Sequence, residues 1–136
     1  MKSNKINLLV MLIIVTVLVL TGFSNANNID IEVAGTIRNT GKGWNVLSDT
    51  QHTPIGITKV ETRNNMILLR HELGAKQVVT FIVTPDETMA RDGIAIGVSA
   101  GLDFSFIYLY DKEGNLINPQ TYFASGSNIW IYGKLK

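Results

Sequence analysis

No cysteine occurs anywhere in this chain, and that one absence removes three kinds of site at once. Small exported domains often staple themselves with disulfides, so this one must hold together by packing and sheet hydrogen bonds alone. Zinc and redox sites built on thiolate are excluded. A lipid anchor through an N-terminal cysteine is excluded as well. The chain also lacks any Asn-x-Ser/Thr sequon, so nothing points to a glycosylated surface. An exported protein without either feature suits a bacterial source better than a eukaryotic one.

A strong charge balance is missing too. Two of the twelve basic residues, Lys2 and Lys5, lie in the first 26 positions, which hold no acidic residue. The remainder therefore sets ten basic against eleven acidic side chains, formally −1. Such a surface has no electrostatic footprint for nucleic acid and no basic patch for an anionic membrane.

What is present begins with an address. Lys2 and Lys5 give a basic start, Leu8 to Leu20 is apolar but for Thr16, and Ser24-Asn25-Ala26 puts small residues where a signal peptidase reads. That order predicts a cleaved secretory signal peptide over residues 1–26. The alternative is an uncleaved membrane anchor, since Ile6 to Asn25 is uncharged and a span takes ~20 apolar residues. Gly22, Ser24 and Asn25 dilute its far end, which favours cleavage. The expected location is secreted, with no membrane contact after cleavage. Residues 27–136 then form one domain of 110 residues. A domain of that length buries roughly 65% of its unfolded surface, enough for a single core.

Period-two alternation dominates that domain. Ile29, Ile31, Val33, Gly35 and Ile37 share one strand face. Further strands are predicted at Trp44–Leu47, Ile55–Thr62, Met66–Leu73, Gln77–Thr84, Ile94–Ala100, Phe104–Tyr110, Leu116–Ile117 and Ile129–Leu135. Asn64-Asn65 and Gly114-Asn115 supply hairpin turns. Gln77–Thr84 is apolar on nearly both faces and reads as a central strand. Ala95, Gly97 and Ser99 leave one face of their strand small enough for close packing. Thr84-Pro85-Asp86-Glu87 reads as a helix start, with Thr84 as cap and Pro85 first, so residues 85–91 are expected to form one or two helical turns or a tight loop joining two strands. The fold class expected is all-β, a single small antiparallel β-sandwich or barrel-like domain behind the signal-peptide helix.

Catalytic patterns are sparse. Gly97-Val98-Ser99-Ala100-Gly101 matches the G-x-S-x-G nucleophile elbow, which needs a strand-to-helix turn and a histidine after the serine. Here a strand follows, and both histidines, His52 and His71, precede Ser99. Asp49, His52, His71 and Glu72 are metal-ligand types, yet His71 and Glu72 are neighbours in a strand and point to opposite faces. Asp86-Glu87 is better read as helix-capping charge than as a glycosidase pair. No cofactor is expected. A small hydrolase using Ser99 or a His52/His71 metal site stays as the alternative.

Aromatic residues in or beside loops are the better candidates, because Trp and Tyr are enriched at recognition hot spots. Partner contacts are expected at Trp44, His52, Tyr122 and Trp130. Alternation sets Trp130 and Tyr132 against Ile129 and Ile131, so one pair is core and the other is not. Core is the first reading for Trp130, and partner contact the second. A wall polymer, a surface protein or a second copy of the chain would be the partner.

Three stretches together carry a resemblance: Trp44 with His52-Thr53-Pro54-Ile55-Gly56-Ile57, then Val83-Thr84-Pro85-Asp86-Glu87-Thr88-Met89-Ala90, and Asn128-Ile129-Trp130-Ile131-Tyr132-Gly133. They resemble a small uncharacterised β domain of phage and prophage proteins of Gram-positive bacteria, where it occurs within larger tail-associated chains. The similarity spans Gly35 to Gly133. It implies a β fold and brings no activity, cofactor or catalytic residue. A virion component needs no signal peptide, so the resemblance and the leader together imply a prophage-encoded factor that acts outside the cell.

Overall fold

The alternation seen in the sequence becomes two antiparallel sheets enclosing one core. The computed structural model describes residues 30–122 and 126–136, so the leader expected at residues 1–26 lies outside the described residues. The first sheet runs in the order β2 (Trp44–Val46), β1 (Ile31–Asn39), β9 (Asn128–Leu135), β5 (Val78–Pro85). The second runs β3 (Lys59–Arg63), β4 (Met66–Arg70), β7 (Phe104–Tyr110), β6 (Ala95–Ala100). β8 (Leu116–Ile117) continues the β4 side of β7, pairing at Leu109 and Tyr110 where β4 has ended at Ile107. A short helix, α1 (Glu87–Arg91), joins β5 to β6. Among the described residues no helix is long and apolar enough to cross a membrane.

The core lies between the sheets. Val33 and Ile37 of β1 with Ile129, Ile131 and Leu135 of β9 face Ile67 and Leu69 of β4 and Ile107 and Leu109 of β7, all buried. Each such aliphatic side chain removed from water contributes about 1.5–3 kcal/mol. This is the packing that a cysteine-free domain depends on. Glycines make room for side chains of neighbouring strands within each sheet. An ideal Cβ on Gly133 of β9 would stand 2.6 Å from the Phe81 ring and 3.4 Å from Val33 Cβ. On β6, the Tyr110 ring lies against Gly97, 3.0 Å from where a Cβ would be.

Three elements differ from the sequence reading. The segment predicted as one strand over Ile55–Thr62 is divided between the sheets. Ile55 bridges to Ala34 of the first sheet, and β3 starts only at Lys59 in the second. Gly56 makes the break at φ +66°, where an added Cβ would meet Glu32 O and Leu73 Cδ1 at 2.8 Å. Second, the helix is capped by Asp86, not Thr84. Pro85 still pairs with Ile129 in the sheet ladder, so the chain turns one residue later. Asp86 Oδ1 then accepts from the Met89 N–H at 3.0 Å, a stronger cap than Thr.

Third, β5 is an edge strand and not a central one. Its pairing with β9 shifts between Val78 and Thr80. Beyond that bulge Phe81 and Val83 pack on the core while Ile82 is exposed, and Val79, within the bulge, is exposed as well. The apolar residues on its second face mark a surface, not a second buried side.

Candidate functional site

That surface is the outer face of the first sheet, and β9 organises it. Its odd-numbered side is taken up completely by the core: Ile129, Ile131 and Leu135 are buried, and Gly133 receives Phe81. A strand alternates with period two, so Trp130 and Tyr132 must point away. They are 48% and 44% exposed. The isoleucines are the core pair, and the first reading of Trp130 as core is overturned.

Register sets their neighbours. Trp130 stands between Thr36 of β1 and Thr84 of β5; Tyr132 stands between Ala34 and Ile82 in the same way. Ile55, bridged to Ala34, extends the second row by one more position. Ile82 and Ile55 are 53% and 49% exposed. Four large apolar side chains thus occupy two adjacent cross-strand rows that contain no charge.

Charged and amide groups close both ends. In the row beyond Tyr132, Lys134 lies between Glu32 and Thr80 and its Nζ reaches Asp30 Oδ2 at 2.6 Å. The hydrogen bond to that carboxylate holds the Lys134 ammonium above its usual range. In the row beyond Trp130, Arg38 Nε donates to Asn128 Oδ1 at 2.9 Å. An apolar centre with a polar rim is the usual anatomy of a recognition patch.

The other three candidates lie elsewhere. Trp44 is 2% exposed. Its Nε1 donates to the Pro119 carbonyl at 3.2 Å, and its backbone N–H donates to Thr62 Oγ1. Trp44 is therefore a core residue, a correction to its reading as a contact. Tyr122, half-buried, stacks on it with rings 6.4 Å apart and 7° from parallel. The Tyr122 hydroxyl donates to Asp92 Oδ2 at 3.1 Å, and burial raises its pKa above the usual phenol value. These two aromatics meet each other, with Trp44 buried and Tyr122 half-buried. His52 belongs to a loop turn: Asp49 Oδ1 lies 2.8 Å from its Nδ1 and also accepts the Gln51 and His52 N–H groups. The hydrogen bond to His52 is the largest influence holding the Asp49 carboxyl below its usual range.

Ser99 sits inside regular strand β6, paired with Phe106, with no strand-to-helix turn around it. His71 is buried, with Nε2 3.3 Å from Ser105 Oγ, so its nearest hydroxyl is not that of Ser99. Among the described residues no group of three or more His, Asp or Glu side chains is arranged to hold a metal ion.

The chain matches no family model, curated protein or solved structure. The functional reading therefore rests on the surface itself. Ile55 and Ile82 were missed from sequence, and the only signal for Ile82 was the two-sided apolar pattern of its strand.

Proposed function

We propose that this chain is an exported, non-enzymatic β domain. It binds an extended polymer of the cell wall through the outer face of its first sheet. Trp130 and Tyr132 are the principal contacts, with Ile82 and Ile55 beside them and the exposed Thr84 hydroxyl flanking Trp130. The observation that carries this reading is the alignment of exposed Trp130 and Tyr132 on one strand whose opposite side is fully used by the core.

Two features favour a polymer over a small molecule. The rings stand two residues apart on a strand, about 7 Å along it, on a sheet face and not in an enclosed pocket. Small-molecule sites are concave and enclose most of their ligand. Sugar rings present apolar C–H faces that stack on flat aromatics, and the exposed Thr84 hydroxyl suits an adjoining sugar hydroxyl. The rows also lack charge, which argues against an anionic polymer held by ion pairs.

The signal-peptide pattern of residues 1–26 supports action at or beyond the cell surface. The resemblance to phage and prophage tail-associated domains supports a prophage-encoded origin. Co-sedimentation with purified cell walls tests the binding. Wild type retained by walls and released by a Trp130→Ala change supports the proposal. Wild type left in the supernatant removes it. Hydrolysis of an ester, peptide or glycan substrate that disappears in Ser99→Ala or His52→Ala would replace it with an enzyme.

A further inference from the structure

The outer face of the second sheet carries a different feature, a hollow of about 150 Å³ lined by Arg63, Leu68, Arg70, Phe104 and Phe106. Register builds it: Leu68 lies between Glu61 and Phe106, and Arg70 lies between Lys59 and Phe104. Leu68 points outward yet is buried, so it forms an apolar floor. The rings of Phe104 and Phe106 meet edge to face, 5.2 Å apart, and form one wall.

The opposite side is cationic and fixed in place. Glu61 receives Lys59 at 3.2 Å, Arg63 Nη2 at 3.3 Å and Arg70 Nε at 3.1 Å. Hydrogen bonds from these three, Lys59 first, hold its carboxyl down to about 2. Arg70 Nη1 also donates to Glu72 Oε1 at 3.1 Å. Three cations thus face two carboxylates. Arg63 Nε and Nη1 and Arg70 Nη2 have no hydrogen bond to the protein among the described residues.

We infer that this hollow binds a single carboxylate carried on an apolar or aromatic body. A guanidinium presents planar paired donors that match a carboxylate, while Leu68 and the two phenylalanines receive the body. The volume takes about one ring and falls well below the ~300–1,000 Å³ of drug-sized sites. Inorganic phosphate would satisfy the arginines but leave the apolar floor unused, and a neutral ring would leave the arginines unused. The ligand is either a free organic acid or the C-terminal residue of a peptide ending in Phe or Leu.

Backbone amide NMR shifts on titrating the full domain test this, with 3-phenylpropionate, N-acetylphenylalanine, N-acetylphenylalanine amide, benzyl alcohol and acetate as probes. The acid is expected to shift Arg70 and Phe104–Phe106 with a Kd of roughly millimolar order, as its atom count allows. The amide, benzyl alcohol and acetate should bind about tenfold more weakly or worse, the loss of one charge-assisted bond or of the apolar contact. N-acetylphenylalanine binding as well as 3-phenylpropionate assigns the peptide terminus, and weaker binding assigns the free acid. Arg63→Gln and Phe104→Ala should each weaken the acid about tenfold while Trp130→Ala, on the other sheet, leaves it unchanged. No shift at these residues overturns the inference. So does benzyl alcohol binding as tightly as the acid, or affinity untouched in both variants.

Discussion

Asp86 holds the start of β9 through Asn128. One carboxylate oxygen caps α1 at Met89, while the other accepts the Asn128 backbone N–H at 2.6 Å and its side-chain amide at 3.2 Å. The strand that carries Trp130 is thereby fixed two residues upstream of it, at a buried carboxylate.

Asp86→Ala removes the cap and the acceptor together. A helix cap contributes about 1 kcal/mol, and an orphaned buried N–H costs about 1–3 kcal/mol. Urea denaturation should show a loss of about 2–4 kcal/mol by this reasoning. Asp86→Asn keeps one acceptor oxygen where the carboxylate offers two and should fall between wild type and Ala.

Gly133 and Phe81 should be energetically coupled. A methyl group at residue 133 would overlap the Phe81 ring, so Gly133→Ala is expected to cost about 1–3 kcal/mol. In Phe81→Leu the ring is absent and the same Gly133→Ala change should cost less. A double-mutant cycle from chemical denaturation measures the difference, and strict additivity would contradict the contact.

His71 should make the fold acid-sensitive in a defined window. Burial, the largest influence, lowers its pKa from the ordinary 6.5, against smaller opposing effects of the Leu102 backbone and the Asp103 charge. Below pH 6.5 the unfolded chain takes up a proton that the folded imidazole does not. Stability is therefore full above that pH and falls as pH drops through 6.5 toward the lower folded value. His71→Gln keeps a hydrogen-bonding partner for Ser105 and does not titrate. Its urea midpoint should change less than that of wild type between pH 7.5 and 5.5, values chosen to span roughly one pH unit either side of the ordinary imidazole pKa. Glu61 acts in a lower window: its carboxyl, held to about 2 by Lys59, Arg70 and Arg63, favours the fold until pH falls below its ordinary 4.5.

Trp44 and Trp130 should separate cleanly. Trp44→Ala opens the core and is expected to cost about 3–5 kcal/mol, whereas Trp44→Phe should retain wall binding at a smaller cost in stability. Trp130→Ala touches an exposed position and should change stability by no more than about 0.5 kcal/mol. Thermal unfolding of the three variants beside their wall retention makes the comparison.

Most of the sheet framework was legible because period two survives wherever one face is buried. In β1 that pattern names Val33 and Ile37 directly, whereas in β9 it only separates Ile129 and Ile131 from Trp130 and Tyr132, and the aromatic side is the one that reads first as core. Alternation does not say which of two apolar faces is the buried one. Gln77–Thr84 reads as central because Val79 and Ile82 are apolar, and only the strand order and the bulge show that both meet water. Trp44 misleads for a related reason: a Trp beside a polar loop looks exposed until Pro119 and Tyr122, far away in sequence, close over it. The hollow at Arg63 and Arg70 was invisible for the same cause, since β3, β4 and β7 meet only through long-range pairing. Ile55 escaped because Gly56 hands the chain from one sheet to the other within a stretch that looks like one strand.

The most direct test of the central claim is co-sedimentation of wild type and Trp130→Ala with purified cell walls, read beside the melting temperature of each. Wild type should be retained and Trp130→Ala released, with both proteins melting within a few degrees of each other. Retention of Trp130→Ala equal to wild type would contradict that claim.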